Sequence, residues 1–400
     1  MSRALVVLEL AISCVLLVGA ALTVITVVKA NRYDLRFDTE NLLVARLGLF
    51  EGDHPEAADW LRFYQQLEER LDGRSEVVSA AVGSVIPVDT AVPSGFTRYE
   101  RPGEVYDDPQ KMPYARLVAA GVGYFETLGV ALVEGRDFTA ADREDAAKVA
   151  IVNQDFARKE WPGQNAVGQR INLWRGAEAE AADSEAGWVE VVGVVPTLRW
   201  ADFNDSEDQQ GIYLPIAQEP RRFVWVVVRT RQEPLAFASV LRQTSSEIDP
   251  NLPLYFVQSM TQVIAKTMFF KNLLGTVFSV FGAIALLLAS IGLYGVMAFG
   301  VARRTREMGV RMAFGARARD VLTLVLGQGL RQVAIGLGIG LVASLGLAQL
   351  LQSFLFQVEP RDPLVYALVV VMLTAVALLA CAIPARRAAS VDPIKALRWD

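Results

Sequence analysis

The chain has 400 residues, of which 52% are hydrophobic and 21% are charged, and its formal net charge is −5. This negative balance leads us to expect no nucleic-acid partner. Its two cysteines, Cys14 and Cys381, lie in long apolar runs. The polar middle of the chain therefore has neither a disulfide framework nor a zinc cluster available to it.

Four apolar runs predict four transmembrane helices, because an α-helix needs about 20 residues to cross a bilayer core. They cover residues 4–28, 272–301, 321–351 and 364–383. A cleaved signal peptide is the rival interpretation of the first run. That run is longer than a usual signal-peptide core, which favours an uncleaved anchor.

The stretch from residue 29 to residue 271 is long enough for one large or two small domains. Short β-branched segments predict strands, and apolar residues at spacings of three and four predict helices. The predicted strands are residues 77–82, 149–152, 189–195 and 223–228, and the predicted helices are residues 60–71 and 235–248. This mixture indicates an α+β domain. Residues 87–113, rich in Pro, Gly and Asp, predict long connections without regular structure.

An alanine-rich acidic run at residues 176–187 separates two strand-like segments, residues 170–174 and 188–195. The pattern predicts a hairpin whose loop is solvated. A loop that binds a partner is the alternative interpretation.

Positive charge is concentrated in two short segments of the chain. The first holds Arg303, Arg304, Arg306, Arg311, Arg317 and Arg319, and the second holds Arg386, Arg387, Lys395 and Arg398. The short loop at residues 352–363 offers only Arg361. Because Lys and Arg gather in short cytoplasmic loops, we expect residues 303–320 and both termini to be cytoplasmic and the long polar stretch to lie outside.

The second apolar run would form a helix about 45 Å long, against about 30 Å of hydrocarbon. Arg303 and Arg304 place its end at the inner surface. We therefore expect its outer turns, near Lys271, to continue into the exported domain as a stalk.

Two charged residues lie inside the apolar runs. The run at residues 321–351 would be about 46 Å long as a helix, so its first turns are expected at the cytoplasmic surface, with Arg331 at the headgroup level and the span beginning near Val333. For Glu9 we expect a side chain that reaches water at the inner interface. Ion translocation by Glu9 is the alternative.

Several motifs of enzymes are missing. The sequence contains no Gly-x-x-x-x-Gly-Lys-Ser/Thr, so we expect any ATP hydrolysis on a separate subunit. The glycines at residues 336–340 lie within a predicted span and favour close helix packing through Gly336 and Gly340 over dinucleotide binding. The lone His54, in a polar stretch expected to be exposed, supports no metal site and no Ser/His/Asp triad. We expect no catalysis and no cofactor.

Several segments carry a resemblance to a known family. They are RTREMGVRMAFGA at residues 304–316, PARRAASVDPIKALR at 384–398, YFETLGV at 124–130, EGRDF at 134–138, VAIVN at 149–153 and RALVVLELA at 3–11. Together they resemble the MacB/FtsX-like permeases of ABC transporters, over nearly the whole chain. The opening is similar to the start of a repeat half in the duplicated MacB-like permeases, so the chain is either a single-unit relative or one half of a longer permease.

The resemblance implies an α-helical membrane protein with four transmembrane helices and a large α+β periplasmic domain inserted between helices 1 and 2. It also implies an ABC ATPase subunit and a second permease unit as partners, in a bacterial inner membrane with membrane lipid around the spans. Related complexes either extrude compounds or transmit force to exported enzymes. The predicted organisation is a first span at residues 1–28, a periplasmic core domain at 29–271, a second span at 272–302, a coupling segment at 303–320, an interfacial helix and third span at 321–351, a periplasmic loop at 352–363, a fourth span at 364–384 and a cytoplasmic tail at 385–400.

The motif at residues 304–316 is the candidate functional site. The residues that the resemblance assigns to ATPase coupling are Arg304, Arg306, Glu307, Gly309, Arg311, Gly315 and Ala316. Its glycines permit close backbone approach, and its arginines can bind acidic side chains of a partner in bidentate fashion. The simpler alternative is that these arginines only meet anionic lipid headgroups.

Two other functional classes stay open. One is a sensor or scaffold with a periplasmic domain that signals to a partner other than an ATPase. The other, a channel, is weakly supported because the spans carry only scattered polar residues and no rings of charge.

Overall fold

The computed structural model describes residues 3–50, 52, 54–89, 95–101, 103–104, 106, 108–174, 187–198, 210–303, 310, 314 and 318–389. The chain divides into two compact units. The helical unit consists of Met1–Tyr33 and Met268–Asp400, and the α+β unit is Asp34–Thr267.

The elements of the described part are numbered in chain order. The helices are α1 (Arg3–Asn31), α2 (Ala57–Asp72), α3 (Tyr124–Thr127), α4 (Gln154–Glu160), α5 (Ala238–Ser246), α6 (Met260–Arg303), α7 (Ala318–Leu350) and α8 (Pro363–Ala389). The strands are β1 (Leu42–Gly48), β2 (Val77–Gly83), β3 (Gly95–Glu100), β4 (Tyr114–Ala120), β5 (Glu134–Gly135), β6 (Val149–Asn153), β7 (Arg170–Trp174), β8 (Trp188–Val195), β9 (Gly211–Pro215), β10 (Phe223–Thr230) and β11 (Leu254–Ser259).

Four helices of the described part, α1, α6, α7 and α8, are long and apolar enough to cross a membrane. They form a shared core, in which Val18 of α1, Leu293 of α6, Leu337 of α7 and Val365 of α8 are buried. The predicted architecture is confirmed: four long apolar helices, with an α+β unit between the first and the second.

The strands of the α+β unit form one sheet with two parts. In the first part the order is β11-β1-β10-β2, and all neighbours are antiparallel. In the second part β4, β3, β7, β8, β6 and β9 follow one another, and β9 pairs in parallel with β4. These six strands therefore close into a ring. The two parts meet where β2 pairs with β4 at Gly83 and Ala120.

Each part of the sheet has a core of its own. In the first, the helices α2 and α5 cover one face, where Leu67 and Leu241 are buried with Val226 of the central strand. In the second, Phe156 of α4 is buried among ring strands with residues such as Val191. Burial of a large apolar side chain favours folding by about 1.5–3 kcal/mol, so both cores contribute to a unit that contains no cysteine.

Most of the predicted elements are confirmed. The four predicted strands correspond to β2, β6, β8 and β10, and the helix predicted at residues 60–71 corresponds to α2. The helix predicted at 235–248 is a short 3-10 helix, Pro234–Phe237, followed by α5. The predicted hairpin strands pair as β7 and β8. The loop between them, at residues 175–186, lies outside the described residues.

The absence of regular structure predicted for residues 87–113 is wrong. This stretch contains β3 and a short 3-10 helix, Pro109–Lys111. Strand β3 pairs with β4 and β7 on its two sides, with Arg98 opposite both Tyr114 and Trp174. Its β-forming residues lie among prolines and glycines that hid the pattern, and pairing with strands distant in sequence stabilises it.

The free side of β2 is covered by carboxylates of α2. Because β2 pairs with β4 only at Gly83, other N–H groups on that side need different acceptors. Val82 N–H donates to Glu68 Oε1 at 2.9 Å, and Ala80 N–H donates to Asp72 Oδ1 at 3.1 Å. Burial raises the pKa of Glu68 to about 8, although the hydrogen bond from Val82 opposes the shift. Two carboxyl groups thus replace a strand at this edge.

We expect the protection of β2 against hydrogen exchange to depend on pH through Glu68. The folded-state pKa lies above the unfolded value of about 4.3, so the stabilisation is fully present below that value and is lost as the pH rises through about 8. The loss is expected to be on the order of 3–4 kcal/mol between pH 5 and pH 8. Exchange of peptides covering residues 77–83 in the full chain, corrected for intrinsic rates, measures it.

In the Glu68→Gln variant this dependence is expected to disappear. The control is Glu69→Gln, because Glu69 is exposed and contacts Gln65 of the same helix. An unchanged pH dependence in Glu68→Gln would show that another group titrates.

Candidate functional site

The start of α6 is fixed by a reciprocal pair of hydrogen bonds. Gln262 N–H donates to Ser259 Oγ at 3.3 Å, and Ser259 N–H donates to Gln262 Oε1 at 3.3 Å. This is a capping box, which satisfies backbone N–H groups at a helix N-terminus. The apolar run alone predicted a start at residue 272, because Lys266 and Lys271 interrupt it, but α6 begins at Met260. The pattern Ser-x-x-Gln at residues 259–262 was the signal that sequence reasoning missed.

Loss of the cap is expected to loosen the beginning of α6. Replacing an N-cap Ser by Ala costs about 1 kcal/mol, so the Ser259→Ala variant should exchange the amides of residues 260–264 roughly fivefold faster than the native chain. Hydrogen exchange of the full chain measures this. The Ser246→Ala variant, at the end of α5, is the control and should leave these amides unchanged. Equal exchange in native and Ser259→Ala chains would contradict the assigned cap.

The first turns of α6 are anchored within the α+β unit. Met260 and Val263 are buried there. Thr267 Oγ1 donates to Val88 O at 3.0 Å, and Lys266 Nζ donates to Gln258 Oε1 at 2.5 Å. From Met268 onward the helix belongs to the helical unit. One helix of 44 residues, about 66 Å long, therefore has residues in both units.

Within the helical unit, α6 contacts α1 through small residues. Ser13 Oγ donates to Ala285 O at 2.9 Å, which ties α1 directly to the backbone of α6. A Cβ placed on Gly282 would lie 3.2 Å from Leu17, and one placed on Gly19 would lie 2.9 Å from Phe278. These glycines let the two helices approach closely.

The carboxyl group of Glu9 lies at the same contact. Its Oε2 is buried and has no hydrogen-bond partner among the described residues, and a Cβ on Gly292 would come within 2.3 Å of it. The sequence favoured a side chain that reaches water at the interface. In the structure this oxygen faces α6, where Gly292 leaves room for it, while the Glu9 side chain as a whole is half-buried.

The predicted close packing through Gly336 and Gly340 is confirmed. A Cβ on Gly336 would lie 2.7 Å from Leu10 Cβ of α1, and a Cβ on Gly340 would lie 2.9 Å from Ala11 O. Two glycines one helical turn apart thus form a groove on α7 that accepts α1, as small residues do in membrane helix pairs. Gly338 lies on another face, and a Cβ placed on it would have no described atom within 4 Å.

The predicted coupling residues Arg304, Arg306, Glu307, Gly309, Arg311, Gly315 and Ala316 lie outside the described residues. The structure describes the residues on either side of this segment and two residues within it, Val310 and Phe314. Helix α6 ends at Arg303, and α7 begins at Ala318. Phe314 N–H donates to Val310 O at 3.0 Å, and the Phe314 side chain is 90% exposed.

His54 is less exposed than its sequence context suggested. Its Nε2 lies 2.9 Å from Asp249 Oδ2, and its ring packs edge-on against Phe63. This hydrogen bond lowers the pKa of Asp249. Among the residues that the structure describes, no group of three or more His, Cys, Asp or Glu side chains is placed to hold a metal ion.

Two family models match the chain. The model of the MacB-like periplasmic core domain matches residues 4–244, and that of the FtsX-like permease C-terminal region matches residues 279–393. The first alone covers more than half of the chain. The chain belongs to the MacB/FtsX-like permease family. The α+β unit between α1 and α6 is accordingly a periplasmic domain, and the chain is a membrane protein.

Curated relatives of this permease carry export functions in their names. The chain is 27% identical over 298 residues to the macrolide export ATP-binding/permease protein MacB of Chromobacterium violaceum, which covers 71% of this chain and 43% of that protein. It is 30% identical over 285 residues to the pyoverdine export ATP-binding/permease protein PvdT of Pseudomonas putida, covering 66% and 40%. The chain thus spans about two fifths of the length of these relatives.

Among solved structures, the chain is similar to the periplasmic region of MacB from Actinobacillus actinomycetemcomitans. The two share 13% sequence identity with a TM-score of 0.39, and the match covers 58% of this chain and 94% of that one. The family assignment rests on the two family models.

Proposed function

We propose that this chain is the permease component of an ABC transporter and that α6 carries motion between its ATPase-docking segment and its periplasmic domain. One observation supports this most directly. A single helix begins at a capping box inside the α+β unit and ends at Arg303, immediately before the cationic motif. A continuous helix is stiffer than a loop, so displacement of one end moves the other.

The motif supplies the docking surface in this proposal. Arg304, Arg306 and Arg311 bind acidic side chains of the ATPase, and Glu307 binds a basic one. Gly309, Gly315 and Ala316 permit close backbone approach. Phe314, which is exposed, fits an apolar pocket on the partner.

Permeases of this family work with an ABC ATPase. We propose that ATP hydrolysis takes place on a polypeptide separate from these 400 residues, which contain no phosphate-binding loop of the Gly-x-x-x-x-Gly-Lys-Ser/Thr type. A second permease unit completes the complex, with membrane lipid around the spans and both termini in the cytoplasm. Its output is either efflux of a compound from the periplasmic side or force transmitted to a periplasmic partner.

Affinity purification from the native membrane tests the docking role. The native chain and an Arg304→Glu/Arg311→Glu variant are isolated in mild detergent, and the bound proteins are identified and assayed for ATP hydrolysis. We expect the native chain to retain an ATPase and the variant to lose roughly 90% of it or more, since two reversed charges repel the acidic partner groups.

The matched control reverses two exposed arginines of the α+β unit, Arg62→Glu/Arg242→Glu, and should retain the ATPase. Absence of an ATPase from every sample would contradict the proposal and favour a periplasmic sensor or scaffold. Retention by the Arg304→Glu/Arg311→Glu variant would place docking on another surface.

A further inference from the structure

A row of aromatic rings crosses the first part of the sheet on the face opposite to α2 and α5. Phe223 and Trp225 of β10 alternate with Val224, which is buried against those helices, so both rings point to the other face. Phe50 lies edge-on to Phe223, with ring centroids 6.1 Å apart, and the centroid of Phe256 lies 6.4 Å from that of Trp225. We call Phe50, Phe223, Trp225 and Phe256 the aromatic row.

Arg46 of β1 lies in the middle of this row. It is the register partner of Trp225, and its Cζ is 5.6 Å from the centroid of the Trp225 ring and 6.0 Å from that of Phe223. Its Nη1 donates to Ser84 O at 3.1 Å. A Cβ on Gly48 would lie 2.4 Å from Phe223, so this glycine lets the ring lie close against β1. The guanidinium group is therefore held between two aromatic rings.

Phe256 reaches the row from a bulge in β11. The register with β1 shifts between Val44 and Arg46, and two residues of β11 lie opposite one residue of β1. Phe256 has a left-handed backbone, with a φ of 49°, which is strained for a bulky side chain. Such bulges are common next to functional sites, where they re-aim a side chain. A bulge also opposes the addition of a further strand, so the row does not suit an extended peptide paired with β11.

The row combines apolar surface in water with a polar group that suits a hydrogen-bond acceptor. Phe50, Phe223 and Phe256 are 48%, 42% and 59% exposed. Trp225 is fully buried, and its Nε1 has no hydrogen-bond partner among the residues that the structure describes. A buried N–H group without an acceptor costs free energy, so a ligand oxygen that reaches it gains affinity.

Arg46 favours a negatively charged ligand. Burial lowers the pKa of Arg46, although attraction to Asp89 and Tyr64 opposes the shift. The surroundings thus disfavour the charged guanidinium on balance, and a further negative group next to it would stabilise that charge. A ligand with an apolar body and an acidic head therefore matches both features of this face.

We propose that the aromatic row binds an amphiphilic carboxylate whose body carries an aromatic ring. The ring of the ligand packs against Phe223 and Phe256, and its carboxylate accepts hydrogen bonds from Arg46. Because Phe256 is exposed, its side chain changes rotamer readily, which opens Trp225 Nε1 to the second oxygen of the carboxylate. An inorganic anion would leave the exposed rings without a contact.

This inference goes beyond the proposed function and depends only on the α+β unit. Loss of ATPase binding in the pull-down leaves it intact, and its own failure leaves the permease assignment intact.

Photolabelling with a matched pair of probes tests the site. The full chain in lipid nanodiscs is irradiated with 4-benzoylbenzoate or with its neutral relative 4-methylbenzophenone, and the labelled peptides are identified by mass spectrometry. At peptides covering residues 46–50, 223–225 and 254–257, we expect the ratio of anionic to neutral labelling to be about tenfold higher in the native chain than in Arg46→Gln. A hydrogen bond to a charged group changes affinity by about that factor. Comparison of the two chains cancels the different partition of the probes into lipid.

Three further variants separate loss of the site from loss of folding. Arg46→Lys keeps the charge and should keep most of the preference for the anionic probe. Phe256→Ala should reduce labelling by both probes severalfold, because an apolar contact is lost. Arg62→Gln removes an exposed cation of α2, on the other side of the sheet, and should label like the native chain.

An equal ratio in native and Arg46→Gln chains, or unchanged labelling in Phe256→Ala, overturns the proposal. Biphenyl-4-carboxylate in excess should prevent the labelling and inorganic phosphate should not; displacement by phosphate would assign a simple anion site and also overturn it. Replacement of Phe256 by p-benzoylphenylalanine tests a different occupant. Cross-links from this position to a second copy of the chain would make the row a contact between copies and overturn the proposal as well.

Discussion

Replacing Gly340 by leucine is expected to separate α1 from α7 and to unfold the packing of the helical unit. A Cβ at this position would lie 2.5 Å from Cys14 Cβ and 2.9 Å from Ala11 O, so backbone as well as side chain must move. Overpacking of a tight core costs about 1–3 kcal/mol, and here a whole leucine enters a groove sized for hydrogen. We therefore expect the Gly340→Leu substitution to destabilise the helical unit by about 3 kcal/mol or more.

The thiol of Cys14 reports this change directly. It is fully buried at the same contact, so it should resist alkylation by a maleimide in the native chain. In the Gly340→Leu variant we expect alkylation at least tenfold faster, which corresponds to an opening free energy lowered by about 1.4 kcal/mol. Mass spectrometry of the labelled peptide distinguishes Cys14 from Cys381.

The control is Gly338→Leu, two residues away on the same helix. A Cβ placed on Gly338 would have no described atom within 4 Å, so the same leucine should leave Cys14 protected. Equal labelling in the two variants would show that any leucine disturbs α7 and would contradict the specific role of the groove.

Interrupting α6 with flexible residues is expected to abolish coupling while docking survives. Four residues, Gly-Ser-Gly-Ser, inserted after Lys271 break the helix between its anchored first turns and its cytoplasmic end. Glycine in a helix interior costs about 1 kcal/mol per residue relative to alanine, so the inserted segment is not helical. The ATPase should still co-purify, because the cationic motif is untouched.

Hydrogen exchange of the α+β unit, with and without ATP, measures this coupling in the purified complex. We expect ATP to change exchange in the periplasmic domain of the native complex and to leave it unchanged in the variant. The same insertion at Gly163, an open turn of the α+β unit, is the control and should preserve the response. A response that persists after the α6 insertion would show that motion reaches the domain by another route.

The sequence pattern alone was sufficient to predict those helices and strands whose own residues show that they are buried. The apolar runs identified all four long helices, and β-branched runs identified β2, β6, β8 and β10. The closure of the ring through the parallel pair β4–β9 could not be predicted, because it joins Arg116 to Gly211 across a long stretch of chain and leaves no periodic signal. Strand β3 was missed because prolines and glycines flank its short run of β-forming residues.

The candidate site was predicted in a different way. Composition showed a cationic segment at residues 303–320, but the docking role of Arg304 or Arg311 came from the resemblance to permeases and stays a prediction. The start of α6 was encoded locally, at Ser259 and Gln262, and was missed because hydropathy outweighed capping. The position of Glu9 against Gly292 required knowledge of which helix faces α1, which the sequence of a single chain does not contain.

The first and last strands of the α+β unit pair with each other, which makes the unit easy to exchange as a module during evolution. Strand β1 follows α1, strand β11 precedes α6, and the two are antiparallel neighbours with Leu43 opposite Ser259. The start of β1 and the end of β11 are therefore about 5 Å apart. A module with adjacent ends can be inserted into a helical hairpin, exchanged for another or removed without rethreading the membrane helices. Replacement of that module would leave the membrane helices and their packing unchanged.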